Sequence, residues 1–185
     1  MAEYYLISQL PSLDGISEGM PLPISEERFL ELCGQHLGKK AKSEMEKLTI
    51  VPPIEGENSS SALLRAWYDG ERNLRLALAK VRAEKMNKAF DLQNKNLPSE
   101  MLKFAGELVH EDNPLKAEGL LFEFRMNLLE ALRPMDTFSE DFVFYYGLKL
   151  KLIMRMRQFD SQLGENAYND IYDSIMNGDR TEEIQ

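Results

Sequence analysis

Apolar residues recur at helical spacing along most of the chain. The longest pattern covers residues 61–93, where an apolar stripe runs at intervals of three, four and seven residues through Leu64, Trp67, Leu74, Leu78 and Val81. The stretch is rich in Ala, Leu, Arg, Lys and Glu, which favour helices. We therefore predict a long spine helix, a rod of roughly 45 Å at about 1.5 Å per residue. Its Asp69-Gly70 pair is a candidate bend.

Shorter patterns predict further helices on both sides of the spine helix. Ser25 is a capping residue before an apolar face of Phe29, Leu32 and Cys33. A second short helix is predicted over residues 40–48, and the Pro, Gly and Asn residues of 51–60 predict a flexible loop. After the spine helix, residues 98–113 and 114–132 each show a helical pattern. The second of these has two apolar faces, so we expect it to be the central helix of the fold.

The segment after residue 140 permits two structures. Residues 148–157 nearly alternate apolar with basic residues, as a half-exposed strand does. A helix is preferred, because so long a strand without a turn is unusual and Ser139 can cap a helix start. A last amphipathic helix is predicted over residues 166–176, with Tyr168, Ile171, Tyr172 and Ile175 on one face. Residues 178–185 are polar and are expected to fray.

The first residues are the exception to the helical pattern. Tyr4 to Leu10 has a strand-like composition, but no other convincing strand is available to pair with it. We expect this segment to lie extended, or as a helical turn, with its Tyr and Leu side chains buried. The whole chain, residues 1–185, is thus predicted to be one all-α domain, a helical bundle in which residues 1–93 and 94–178 are candidate diverged units.

Composition excludes several classes of function. The net charge of −9 argues against a general nucleic-acid binder, which needs a surplus of Lys and Arg. The first residues lack the basic region of an export signal, and no apolar run is long enough to span a membrane. The single cysteine, Cys33, rules out an intrachain disulfide and is typical of a reducing cytoplasm.

The motifs of common catalytic sites are missing from the sequence. It contains no phosphate-binding glycine loop, no dinucleotide fingerprint and no serine nucleophile elbow. Glu107 and His110 form one E-x-x-H pair, which is half of a di-iron site. Cys33 and His36 could supply two zinc ligands of the four required. We expect no metal, cofactor or catalytic residue, and keep a helical metal-binding protein or enzyme using Glu107 and His110 as an alternative.

Charged and aromatic groups suggest contacts rather than catalysis. Carboxylates at Glu118, Glu123 and Glu130 are expected to be solvated or paired with Lys and Arg. Glu118 is a candidate to pair with Arg75 between two packed helices. A second set of residues forms a basic strip that could dock an acidic partner helix or be a solvated flank: Arg75, Arg82 and Lys85. A third set is predicted to be core rather than a ligand box: Trp67, Tyr68, Phe144, Tyr145 and Tyr146.

Two pairs of segments carry a family resemblance. "YYLISQLPSLDG", followed by "PISEERFLELC", resembles the start of a family of uncharacterised bacterial proteins associated with V-type ATP synthases. More remotely, "WYDGERNLRLALAKVRAEK" and "DNPLKAE" are similar to segments of the d subunit of V-type ATPases.

The resemblance implies an all-helical coupling protein. The d subunit is a funnel of three similar helical units that sits on the membrane ring and receives the central shaft. This chain is little more than half the usual length, so about one unit would be missing. A faint internal echo is consistent with two units, since Trp67 to Gly70 and Phe144 to Gly147 each begin with adjacent aromatics and end in glycine.

The function implied is therefore non-enzymatic. The expected partners are the central shaft and membrane ring of a V-type ATP synthase, without nucleic acid or direct membrane insertion. The expected location is cytoplasmic, peripheral to the inner membrane through the complex. A free-standing adaptor that binds helical peptides is the third hypothesis.

Overall fold

All regular secondary structure in the described part of the chain is helical. The computed structural model describes residues 2–16, 20–53, 59–90, 96–159, 164, 166 and 168–175, and contains no strand among them. Residues 168–175 are also helical. The bounded helices are α1 Ala2–Gln9, α2 Glu26–His36, α3 Lys39–Glu46, α4 Ala62–Lys85, α5 Ser99–His110, α6 Pro114–Ala131 and α7 Glu140–Arg157. The all-α prediction is confirmed, including a helix rather than a strand at residues 148–157.

Four of the bounded helices begin after a capping side chain. Ser25, Ser61 and Ser139 each accept a hydrogen bond from the backbone N–H three residues ahead. Asn113 accepts from two backbone N–H groups of α6, and Pro114 occupies the first position of that helix. Such caps satisfy N–H groups that have no partner within the helix, so these starts are set by local sequence.

The N-terminal segment corrects the prediction that it lies extended or as a single helical turn. It is helix α1, in which Leu6 is fully buried while Tyr4 and Tyr5 remain 54% and 61% exposed. An isolated strand would leave its backbone groups without partners, whereas a helix satisfies them internally. Tyr4 packs on Tyr5 and on Phe138 at the surface, with ring centroids 5.9 and 5.1 Å apart. The expected burial of the Tyr side chains was therefore wrong.

The spine helix is shorter than predicted and is unbroken at glycine. α4 has 24 residues, about 36 Å at about 1.5 Å per residue, and continues through Gly70. It ends at Lys85, and Asn87 follows with a positive φ of 53°. Residues 91–93 of the predicted helix lie outside the described residues, as do 54–58 of the predicted loop and the predicted frayed end.

The central helix is α7 rather than α6. Ten residues of α7 are buried, including Lys149, whereas only Arg125 and Leu129 are buried in α6. The prediction that residues 114–132 form the central helix was therefore wrong. Apolar side chains on two faces of a helix need not both be covered, and most of those in α6 are only half-buried.

Two hydrophobic cores lie along α4 and α6. The larger core includes Trp67 and joins α1, α2 and α3 to α7. The smaller core centres on Leu74 and Ala105, where α4 packs on α5, and it also contacts α6. Because α4 and α6 contribute to both cores, they tie the two ends of the structure together. The boundary between residues 93 and 94 stays a prediction.

The two similar segments, Trp67 to Gly70 and Phe144 to Gly147, each end in a glycine at a close contact between elements. A Cβ at Gly70 would lie 2.8 Å from Leu128 of α6. A Cβ at Gly147 would lie 2.8 Å from Leu48, 3.2 Å from Phe29 and 3.3 Å from the sulfur of Met45. Real Cβ atoms essentially never show contacts of 2.8 Å, so glycine allows α4 to approach α6 and allows α7 to approach α2, α3 and the residues after α3.

Substitution of glycine by alanine should therefore lower the free energy of unfolding at a close contact and raise it at an open position. We expect Gly147→Ala to lower the free energy of unfolding by about 1–2 kcal/mol, because overpacking costs more than the helix propensity gained. Gly119→Ala is the matched control, since its Cβ would meet nothing within 4 Å. It should raise the free energy of unfolding by about 0.5–1 kcal/mol. Urea unfolding of both variants measures this, and equal signs would contradict the close contact at Gly147.

Candidate functional site

The predicted basic strip is partly engaged within the fold. Arg75 is 45% exposed at its side chain, and its Nε lies 3.8 Å from the carboxylate of Glu71. Lys85 donates a hydrogen bond of 2.9 Å from Nζ to the carbonyl of Val109, at the end of α5. Arg82 is exposed and lines a surface cavity beside α5 and α6. The strip as a partner surface stays a prediction.

A buried ion pair joins α4 to α6 at their centres. Arg125 donates from Nε to Glu71 Oε1 at 2.7 Å and from Nη2 to Glu71 Oε2 at 3.0 Å. The Glu71 side chain is fully buried and the Arg125 side chain is 9% exposed. A bidentate guanidinium–carboxylate pair restricts both the distance and the angle between the two helices. Both of its side chains are almost fully buried, whereas the other ion pairs between described helices each have at least one partly exposed side chain.

Sequence reasoning missed this pair, although one signal was present. Glu71 occupies the empty position of the apolar stripe, four residues after Trp67 and three before Leu74. A carboxylate on the buried face of a helix requires a cationic partner. Nothing in the local sequence identifies that partner, because Arg125 lies 54 residues away.

The predicted pairing of Glu118 with Arg75 is wrong. Glu118 accepts hydrogen bonds of 3.3 and 3.2 Å from Nη2 of Arg155 in α7. Arg75 instead approaches Glu71, one turn earlier on its own helix. α6 packs along α7, and this brings Glu118 to the basic end of α7.

The other carboxylates of α6 follow the expectation that they are solvated or paired. Glu123 is exposed, whereas Glu130 accepts hydrogen bonds of 2.7 Å from Lys149 and 2.6 Å from the Tyr145 hydroxyl. Partial burial acts to raise the pKa of Glu130, but these hydrogen bonds outweigh it and lower the pKa. The carboxylate is therefore stabilised in its ionised form.

Lys149 is the centre of this second ionic cluster. It is buried in α7 and donates to Asp14 at 2.6 Å as well as to Glu130. Burial acts to lower the pKa of Lys149, but hydrogen bonds to Asp14, Glu130 and Tyr145 raise it. The same contact lowers the pKa of Asp14. The cluster anchors the segment after α1 to α6 and α7, and every charge in it has a partner.

The histidine and cysteine pairs are engaged in structural contacts. Cys33 is buried, and burial raises the pKa of its thiol to about 12. His36 Nε2 lies 3.4 Å from Gln9 Nε2, and His110 Nδ1 lies 2.8 Å from the carbonyl oxygen of Gly106 on its own helix. Within the described ranges, no three or more His, Cys, Asp or Glu side chains form a possible metal site.

The predicted aromatic group lies in the core. Trp67 is fully buried and donates a 3.2 Å hydrogen bond from Nε1 to the carbonyl of Ile50. Tyr68, Phe144, Tyr145 and Tyr146 are buried as well. The prediction of core rather than ligand box is confirmed.

One apolar helix face is exposed. In the helical residues 168–175, four large apolar residues are more than half exposed: Tyr168 at 66%, Ile171 at 60%, Tyr172 at 51% and Ile175 at 59%. These positions share one face of the helix, at intervals of three, one and three residues. We call this set the apolar stripe of residues 168–175. Four large apolar side chains exposed on one helix face are typical of a contact surface.

Comparisons with protein-family models, curated proteins and solved structures found no match for the chain. A search of the described residues for a helix long and apolar enough to cross a membrane also found none.

Proposed function

We propose that this chain is a non-catalytic, all-helical assembly protein that resembles the d subunit of V-type ATP synthases. Its role would be to link the central shaft to the membrane ring. It would act in the cytoplasm, peripheral to the inner membrane, through contacts with other ATP synthase components and without a cofactor.

The observation that carries the proposal is the apolar stripe of residues 168–175. Its four side chains present more than half of their surface to solvent. Covering such a face removes apolar surface from water, at roughly 25 cal/mol per Å². A helix with i, i+3, i+4 and i+7 anchors is a common means of docking one protein on another.

The interior of the protein supports a mechanical role. α4 extends through both hydrophobic cores, and the Glu71–Arg125 pair fixes it to α6. Lys149, Glu130 and Asp14 join α6, α7 and the segment after α1. A densely packed interior with paired charges transmits force with little deformation, as a coupling protein requires.

The experiment is an affinity purification of the tagged full chain from detergent-solubilised native membranes. Mass spectrometry should recover V-type catalytic, shaft and ring proteins in comparable amounts. Ile171→Asp places a charge in the apolar stripe and should reduce this recovery at least fivefold. Asn169→Asp is the matched control, since it adds the same charge to the same helix about 100° around the axis from Tyr168, outside the apolar stripe, and it should leave recovery unchanged.

Other outcomes would replace the proposal. Absence of ATPase components, with the ATPase intact, would overturn the rotary assignment. In that case stoichiometric iron, manganese or zinc in the purified protein would favour the alternative that uses Glu107 and His110. Recovery of an unrelated helical partner, lost in Ile171→Asp, would favour the free-standing adaptor.

A further inference from the structure

A cationic pocket lies between α4, α6 and α7. Its cavity has a volume of about 480 Å³. Four basic side chains line it, namely Arg75 of α4, Arg125 of α6, and Lys151 and Arg155 of α7. The chain as a whole has a net charge of −9, so this local grouping of cations is opposite in sign to the protein. We call it the cationic pocket.

The carboxylates around the pocket do not balance its cations. Lys151 pairs with Glu26, and Arg155 pairs with Glu118. Arg125 and Arg75 share the single carboxylate of Glu71, which Arg125 holds at 2.7 and 3.0 Å while Arg75 approaches only to 3.8 Å. Among the described residues, four cations thus face three carboxylates. The excess positive charge is centred on Arg75.

The guanidinium group of Arg155 also retains an unused donor. Arg155 contacts Glu118 through Nη2 alone, at 3.2 and 3.3 Å, which is longer than the 2.7–2.9 Å usual for charge-assisted hydrogen bonds. Its Nε is buried without a hydrogen-bond partner among the described residues. An arginine has five N–H donors, and a buried donor without a partner costs free energy. Arg155 lines the pocket, so an oxygen ligand there would lie beside its guanidinium group.

The remaining wall of the pocket is mainly apolar. Leu48, Ile50, Val51, Leu121 and Met154 contribute to it. Ligand sites commonly combine such a wall with a few charged groups that orient the ligand. A bare inorganic anion would leave these side chains uncovered, whereas an organic group attached to the anion would bury them.

We propose that the cationic pocket binds a small organic molecule carrying an oxyanion, either a phosphate or a carboxylate. Arg75 and Arg155 donate to the oxyanion, while the organic part lies on the apolar wall. Arg125 remains bound to Glu71 and holds the floor of the pocket. This site is separate from the apolar stripe of residues 168–175, so it does not depend on the proposed assembly.

The test is calorimetric titration of the full-length protein with three probes at matched ionic strength. Inorganic phosphate, hexyl phosphate and hexanoate distinguish the two headgroups and the effect of the organic part. We expect saturable binding of hexyl phosphate or hexanoate, and affinity for hexyl phosphate at least fivefold above that for inorganic phosphate. Equal affinities for hexyl phosphate and inorganic phosphate would overturn the proposal that an organic group lies on the apolar wall.

Three variants assign the binding to the pocket. Arg75→Gln and Arg155→Gln should each weaken binding about tenfold, since each removes charge-assisted hydrogen bonds to the ligand. Arg72→Gln is the matched control, because Arg72 is on α4 as well but pairs with Asp69 and does not line the pocket. It should leave affinity unchanged. No saturable binding of any probe, or equal losses in all three variants, would overturn the proposal.

Discussion

Arg125→Met is expected to lower the free energy of unfolding by about 3–5 kcal/mol. The change leaves the carboxylate of Glu71 fully buried without its guanidinium partner. Removal of one member of a buried ion pair costs this much because the remaining charge stays out of water. Arg75 lies 3.8 Å from Glu71 and is half-exposed, so it compensates only in part. Urea unfolding followed by circular dichroism measures the change.

The double variant Glu71→Met/Arg125→Met separates charge from packing. It removes both charges and keeps side chains of similar length, so it should recover most of the loss seen in Arg125→Met. Arg133→Met is the matched control, because its pair with Glu130 is 3.9 Å long and its side chains are 47% and 39% exposed. It should change stability by less than about 1 kcal/mol. A similarly small effect of Arg125→Met would contradict the structural role of the buried pair.

Trp67→Ala should destabilise the protein by about 3–5 kcal/mol. Trp67 is fully buried in the larger core, and its indole N–H is bonded to the carbonyl of Ile50. Truncation to Ala removes the apolar contact and leaves a cavity that the helices around it fill only in part. Circular dichroism should be used for the measurement, because Trp67 is the only tryptophan and its fluorescence is lost with it.

Two companion variants make this result interpretable. Trp67→Phe keeps an aromatic ring but loses the N–H donor and some volume, so an intermediate loss of about 1–3 kcal/mol is expected. Phe90→Ala removes an aromatic side chain that is exposed, and should lie within about 0.5 kcal/mol of the parent. If Trp67→Ala were as mild as Phe90→Ala, the residue would not be the core anchor that the structure indicates.

The sequence was most informative where structure depends on near neighbours. The starts at Ser25, Asn113 and Ser139 were predictable because a cap acts over three residues. The helix over residues 148–157 was preferred over a strand on length, composition and the capping residue Ser139. The apolar stripe of α4 was equally readable, and its gap at Glu71 marked a residue that needed a partner.

The candidate site was less predictable from sequence. Arg75 was selected for its charge and spacing, and it does line the cationic pocket. The Lys and Arg residues of α7 that complete the pocket were read only as part of an alternating pattern. Their grouping depends on how α4, α6 and α7 pack, which no local pattern specifies.

The sequence by itself thus determined the all-α class, the capped starts and the apolar faces, because these depend on contacts within a few residues. The tertiary structure alone decided that residues 2–9 are helical, that α7 is central, and which charges pair. Glu118 illustrates the difference, since Arg75 and Arg155 were equally suitable in chemistry and only packing selected Arg155. Partner choice depends on distances between residues far apart in the chain, and helix packing sets those distances.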